Sequence, residues 1–236
     1  MAKKRIKAVL TDNAAAVVSE AYRNVRTNLL FLLSSKGYKS VLFSSSLPSD
    51  GKSTTCANFA LSFAQTGKRV IIVDADLRSP TIHSLIPVKH SPGLSDVLAG
   101  FSDLGSCIKP TPYENLEILP AGTIPPNPSE MLLSEEYSRL MRRLSEKFDI
   151  IFIDTPPVSL FTDAISISRQ ADGVVLITSY ARTKKESLVR TVEKFRKVEA
   201  NLLGIIVNRI KLKKYYEQVG SKIESRYLKH YEYQKR

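Results

Sequence analysis

The chain has 236 residues, 43% of them hydrophobic, and carries 35 Lys and Arg against 23 Asp and Glu, a net charge of +12. That is enough apolar material for a substantial core, and a single compact domain is the simplest reading. No apolar run approaches the roughly 18 residues of a membrane span, and the basic start leads into no long apolar segment, so a cytosolic protein is expected. Cys56 and Cys107 are the only cysteines. They indicate neither a disulfide framework nor a metal cluster and are expected as small buried or half-buried side chains.

In chain order, Ser19 to Ser35 is predicted as a helix, with Val25, Leu29, Leu32 and Leu33 on an apolar face and Glu20, Arg23 and Arg26 spaced three apart beside it. Ser40 to Ser45 reads as a strand, and the loop Ser46 to Gly51 leads into a helix from Lys52 that stops at Gly67. Val70 to Val73 is a strand covered on both faces. Between Pro80 and Pro128 the chain is predicted as loops, with a brief helix at Leu94 to Leu98 and a strand at Leu116 to Leu119. A helix from Ser129 to Lys147, strands at Ile150 to Ile153 and Val174 to Ile177, a charged helix from Lys184 to Val198 and a strand at Leu202 to Val207 complete the pattern. Alternating strands and helices imply an α/β fold with a mostly parallel sheet covered by helices on both faces.

Residues 209–236 hold nine of the basic residues against Glu217, Glu224 and Glu232, so about half of the excess charge lies in a polar tail after Ile210. The expected organisation is a domain over 1–210 and a flexible, basic, tyrosine-rich tail over 211–236.

Ser46-Leu-Pro-Ser-Asp-Gly51-Lys52-Ser53 fits the phosphate-loop pattern G-x-x-x-x-G-K-[ST] except at its first position, where Ser46 replaces glycine. Gly51 lets backbone N–H groups approach phosphates, the following helix N-terminus favours an anion, Lys52 neutralises the outer phosphates and the Ser53 hydroxyl suits Mg²⁺. Ser46, Pro48, Ser49, Asp50 and Thr54 complete the expected ATP-binding loop, and Thr54 and Thr55 are placed to reach the α-phosphate. Asp74 and Asp76 follow one buried strand and Asp154 follows another, so three carboxylates are expected beside Lys52 at the carboxyl end of the sheet. Such groups can hold Mg²⁺ or take a proton from an attacking hydroxyl. Arg78 suits either a phosphate clamp or a structural ion pair.

With these motifs in view the chain resembles the bacterial tyrosine kinases, in particular the cytosolic catalytic subunits of Gram-positive capsule and exopolysaccharide systems, over nearly its whole length. The resemblance implies a P-loop NTPase fold of the MinD/ParA type, and the family's phosphate loop often lacks the first glycine and carries a proline, as Ser46 and Pro48 do. The apolar run before D-x-D-x-R matches Asp74, Asp76 and Arg78, and the apolar run before D-x-P-P matches Asp154, Pro156 and Pro157. By that analogy Lys52, Asp74 and Asp76 are catalytic, Asp74 being the base for the tyrosine hydroxyl, while Ser53, Asp76 and Asp154 hold Mg²⁺ and Asn208 touches adenine. Glu20, Arg23 and Arg26 fit an E-x-x-R-x-x-R motif tied to ring-like self-assembly, though alone they read as an exposed charged helix face. Ile124-Pro-Pro-Asn-Pro-Ser-Glu130 matches a further family stretch.

Tyr215, Tyr216, Tyr227, Tyr231 and Tyr233 stand among charged residues with no core period. The resemblance makes them phosphoacceptors, modified in trans between protomers. It also implies a transmembrane co-polymerase-like adaptor that recruits the chain to the inner face of the membrane, protein substrates in polysaccharide synthesis and a cognate tyrosine phosphatase. A MinD/ParA-type positioning or partitioning ATPase is the alternative, weakened by Leu47 where those proteins usually carry a signature lysine. A nucleic-acid-binding module rests on charge and interleaved aromatics alone and leaves the nucleotide motifs unexplained, so no nucleic-acid partner is expected.

Overall fold

The computed structural model describes residues 16–180 and 182–210. Among them are seven strands, β1 (Ser40–Ser45), β2 (Val70–Asp74), β3 (Lys109–Pro110), β4 (Leu116–Leu119), β5 (Ile150–Asp154), β6 (Gly173–Ser179) and β7 (Leu202–Asn208). They form one sheet in the order β3-β4-β2-β5-β1-β6-β7, parallel throughout except for the short edge strand β3. The chain runs from β1 to one side of the sheet through β2 and β4, then to the other through β6 and β7. The carboxyl ends of the central strands therefore flank a crevice of the kind in which α/β proteins bind ligands.

Strand residues alternate between two cores. Val41, Phe43, Ile72 and Phe152 pack against α1 (Ala16–Lys36), α2 (Lys52–Ala64) and α3 (Ile82–Leu85). Leu42, Ile71, Val73, Ile153 and Leu176 pack against α4 (Leu94–Leu98), α5 (Leu104–Cys107), α6 (Pro128–Leu132), α7 (Glu135–Lys147), α8 (Asp163–Ile167) and α9 (Lys185–Lys197). Phe43 meets Phe59 and Phe152, and Phe152 meets Phe63, at centroid distances of 5.2 to 6.0 Å. Each such side chain adds about 1.5–3 kcal/mol when buried, and together they anchor α2 on this face of the sheet. Both cysteines are buried in these cores.

The predicted helix from Ser129 to Lys147 is two helices. Ser134 restarts the chain by accepting a hydrogen bond from the Tyr137 amide, and Glu135 and Glu136 occupy the first turn of α7. The break swings Tyr137, Leu140 and Leu144 into the core. The stretch predicted as loops after Pro80 contains α3, α5 and β3 as well. These elements span two to four residues each, too short for a periodic signal.

Candidate active site

Gly51 caps α2 at φ +97°, a conformation that favours glycine, and a side chain there would strike the Asn208 amide. Ser46 lies outside the left-handed region, so its β-carbon brings no backbone strain. The loop is tied to the far strands: the Asp50 carboxylate accepts from the Leu47 amide and, at 2.9 Å, from the Thr183 hydroxyl, while Asn208 Nδ2 donates to the Asp50 carbonyl at 3.2 Å. Arg182 donates to the Ser49 carbonyl at 3.0 Å. Asn208, the residue expected at adenine, thus stands at the phosphate loop.

Lys52 is buried at the start of α2, with Nζ 2.8 Å from Asp76 Oδ2, 3.4 Å from Asp154 Oδ2 and 3.0 Å from the Ser53 hydroxyl. Burial opposes its charge, yet the Asp154 and Asp76 carboxylates more than offset this and hold its pKa above the ordinary value. Asp74 and Asp154 are register partners on β2 and β5. Burial, and then the charge of Asp154, push the Asp74 carboxyl well above the usual carboxylate range. The Asp76 and Ile82 amides donate to it, each at 3.3 Å. The three carboxylates and Lys52 therefore meet as the sequence suggests.

Among the described residues no three His, Cys, Asp or Glu side chains form a metal cage. Mg²⁺ needs none, because it is held by one or two carboxylates together with nucleotide phosphates and water. Ser53, Asp76 and Asp154 offer such a hard-oxygen set, and the buried Asp154 Oδ1 has no hydrogen-bond partner. The residues present fit the ion.

Arg78 is a structural pair and not a free clamp. Its guanidinium donates to both carboxylate oxygens of Asp163, at 2.6 and 3.1 Å, and to the Ser129 hydroxyl at 2.8 Å, and it stacks 4.2 Å from the Phe161 ring centre. Asp163 is only 1% exposed. This knot joins the Asp76 loop to the Ile124–Glu130 segment and to the stretch after Pro157. Sequence reasoning missed Ser129, Phe161, Asp163, Arg182 and Thr183. An Asp soon after D-x-P-P and a polar run after β6 were the available signals.

In α1, Glu20 and Arg23 form an exposed ion pair at 2.9 Å, whereas Arg26 turns inward and donates to the Ser62 carbonyl of α2 at 2.8 Å. The proposed assembly motif is thus split between an exposed pair and a half-buried arginine held against α2. Tyr215, Tyr216, Tyr227, Tyr231 and Tyr233 lie outside the described residues.

An AAA-domain family profile matches residues 49–205. The tyrosine-protein kinase YwqD of Bacillus subtilis is 39% identical over 84% of this chain and 84% of its own length. The tyrosine-protein kinase wzc of Salmonella typhimurium is 34% identical over 88% of this chain, which spans only 29% of that longer protein. Among solved structures, the chimerical protein CapA2B2 superposes with a TM-score of 0.82 at 34% identity, covering 86% of this chain and 90% of that one. The MinD protein of Pyrococcus horikoshii complexed with Mg-ADP matches at 0.61 and 25% identity, with 76% of each chain covered.

Proposed function

This chain belongs to the family of bacterial tyrosine-protein kinases, and we propose that it transfers the γ-phosphate of ATP to tyrosines in the 211–236 tail of a second copy. The observation that carries this reading is the buried cluster of Lys52, Asp76 and Asp154 beside the phosphate loop, with Asp74 on the strand next to Asp154. In the transfer, the phenol oxygen attacks the γ-phosphorus, the bond from that phosphorus to the bridging oxygen breaks, and ADP leaves. The phenol proton passes to a carboxylate; Asp74, whose burial raises its proton affinity, is the acceptor the family resemblance favours. Lys52 and the loop amides neutralise the developing charge, so the rate comes from positioning and preorganised electrostatics. Mg²⁺, when bound by Ser53, Asp76 and Asp154, supplies charge neutralisation of the phosphates.

Further parts of the reading rest on the family resemblance. The chain assembles as a ring through the Glu20, Arg23 and Arg26 motif, is brought to the inner face of the membrane by a transmembrane adaptor, acts on proteins of capsular or exopolysaccharide synthesis and export, and is reset by a tyrosine phosphatase. No helix of the described residues is long and apolar enough to cross a membrane.

Incubation with MgATP, with and without the adaptor's cytosolic segment, followed by phosphotyrosine detection, tests the reading. Labelling of the chain is expected, and replacing all five tail tyrosines by Phe should remove most of it. ATP hydrolysis with no phosphotyrosine in either condition would favour a positioning ATPase, and undiminished labelling of the Phe variant would place the acceptors elsewhere.

A further inference from the structure

At the carboxyl edge of the sheet, beyond β4, lies a groove of about 570 Å³ between the α4 region and the Thr123–Ser134 segment. Its walls are mainly apolar, with Phe101, Ile124, Pro125 and Met131 among the lining residues. Phe101 is 85% exposed and Ile124 62%, so two large apolar side chains stand at its rim with nothing covering them among the described residues. A surface of that kind marks an interaction site. Its charge is the second observation. In a chain of net charge +12, the charged lining residues are Asp96 and Glu130, both acidic. The groove is joined to the Asp76 loop through one hydrogen bond: Ser129, the neighbour of the lining residue Glu130, accepts from Arg78, two residues beyond Asp76.

We infer that this groove is the docking site for a basic, tyrosine-bearing peptide, and that its occupant is the 211–236 segment of a second copy of this chain. The segment has eight Lys or Arg against three Glu and carries five tyrosines, so it offers aromatic rings to the apolar walls and cations to the exposed Glu130, while the buried Asp96, whose carboxylate accepts from the Gly93 and Thr123 amides, adds its charge from behind the wall. Its contour of roughly 90 Å is long enough to leave one protein and reach a neighbour. Docking there would hold one tyrosine while another enters the crevice beside Asp76, raising the local acceptor concentration without a new catalytic contact. The inference rests on the tail being the kinase's acceptor.

A fluorescent synthetic peptide of residues 211–236, titrated with the full chain and followed by anisotropy, tests docking apart from chemistry. Phe101→Ala with Ile124→Ala should weaken binding roughly tenfold, as loss of two interface anchors does. Glu130→Lys should weaken it further and flatten its salt dependence. Phe101 and Ile124 are exposed, so their double variant keeps the wild-type melting temperature and ATP hydrolysis, whereas Glu130→Lys also gives up the Asn127 hydrogen bond at the start of α6 and is read only beside a Glu130→Gln control. With the same peptide as phosphoacceptor, the variants should raise KM and leave kcat unchanged. Equal peptide affinity in wild type and variants, or no binding to wild type, overturns the groove. If the peptide binds in the groove yet no tyrosine is ever labelled, the kinase reading of the tail fails instead, and the docking site stands.

Discussion

Lys52 Nζ lies 2.8 Å from Asp76 Oδ2 in an environment where neither side chain is more than 10% exposed. The residue that must meet the nucleotide's phosphates is therefore also the counter-ion of the carboxylates that would hold the metal, with Asp154 at 3.4 Å as its second partner. Lys52 connects the charge balance of the fold to that of the reaction.

Lys52→Met should lower phosphotransfer at least a hundredfold. It should also lower unfolding stability by about 3–5 kcal/mol, because buried carboxylates lose their partner. Adding Asp76→Asn should restore part of the stability and none of the activity, as read by urea unfolding beside a phosphotyrosine assay. A Lys52→Met protein as stable as wild type would contradict the pairing.

Arg78, half-buried, pairs with the fully buried Asp163. Arg78→Ala leaves Asp163 uncompensated and should destabilise the protein by about 3 kcal/mol, whereas Arg78→Ala with Asp163→Ala should recover much of that loss. Arg78→Lys keeps the charge but loses the two-pronged contact and the stacking on Phe161, so an intermediate loss is expected. Additive effects in this cycle would show that the two residues do not interact.

Gly51→Ala places a methyl group against Asn208 and forces a left-handed alanine, at a backbone cost of about 1–2 kcal/mol. ATP affinity should fall sharply. Asn208→Ala in the same chain relieves the clash but not the backbone strain, so calorimetry should show only partial recovery of the melting temperature and little recovery of nucleotide binding.

Arg69 holds the Asp149 carboxyl down to about 2 through side-chain and backbone hydrogen bonds. A folded value below the unfolded one of about 3.9 means that this contact stabilises the protein above pH 4 and that the contribution is lost as pH falls toward 2. Asp149→Asn should therefore melt earlier than wild type at pH 7, with the gap closing through that window. The exposed position of Arg69 keeps the effect small. A gap that persists at pH 2 would assign it to the neutral backbone contacts.

How much of this was legible beforehand depends on range. Val70 to Val73 and Ile150 to Ile153 announce buried parallel strands because they are apolar, short and flanked by turn residues, and the following Asp74, Asp76 and Asp154 take their place at the carboxyl edge from that alone. Gly51, Lys52 and Ser53 are a local motif whose chemistry is carried by adjacent residues. The break at Ser134 was hidden because a cap and a mid-helix serine look alike until the flanking side chains find their core.

The linear chain by itself determined the strand–helix alternation, the phosphate loop and the carboxylates facing it, since these follow from hydrophobic period and residue type within a few positions. The tertiary structure alone decided that Arg78 belongs to Asp163, that Arg26 points into the protein while Arg23 stays outside, and that Asp50 is tied to Thr183 and Asn208. Those pairings join residues 36 to 158 positions apart. No periodicity specifies them, because burial rewards whichever partner the packed sheet and helices bring within reach of a charge.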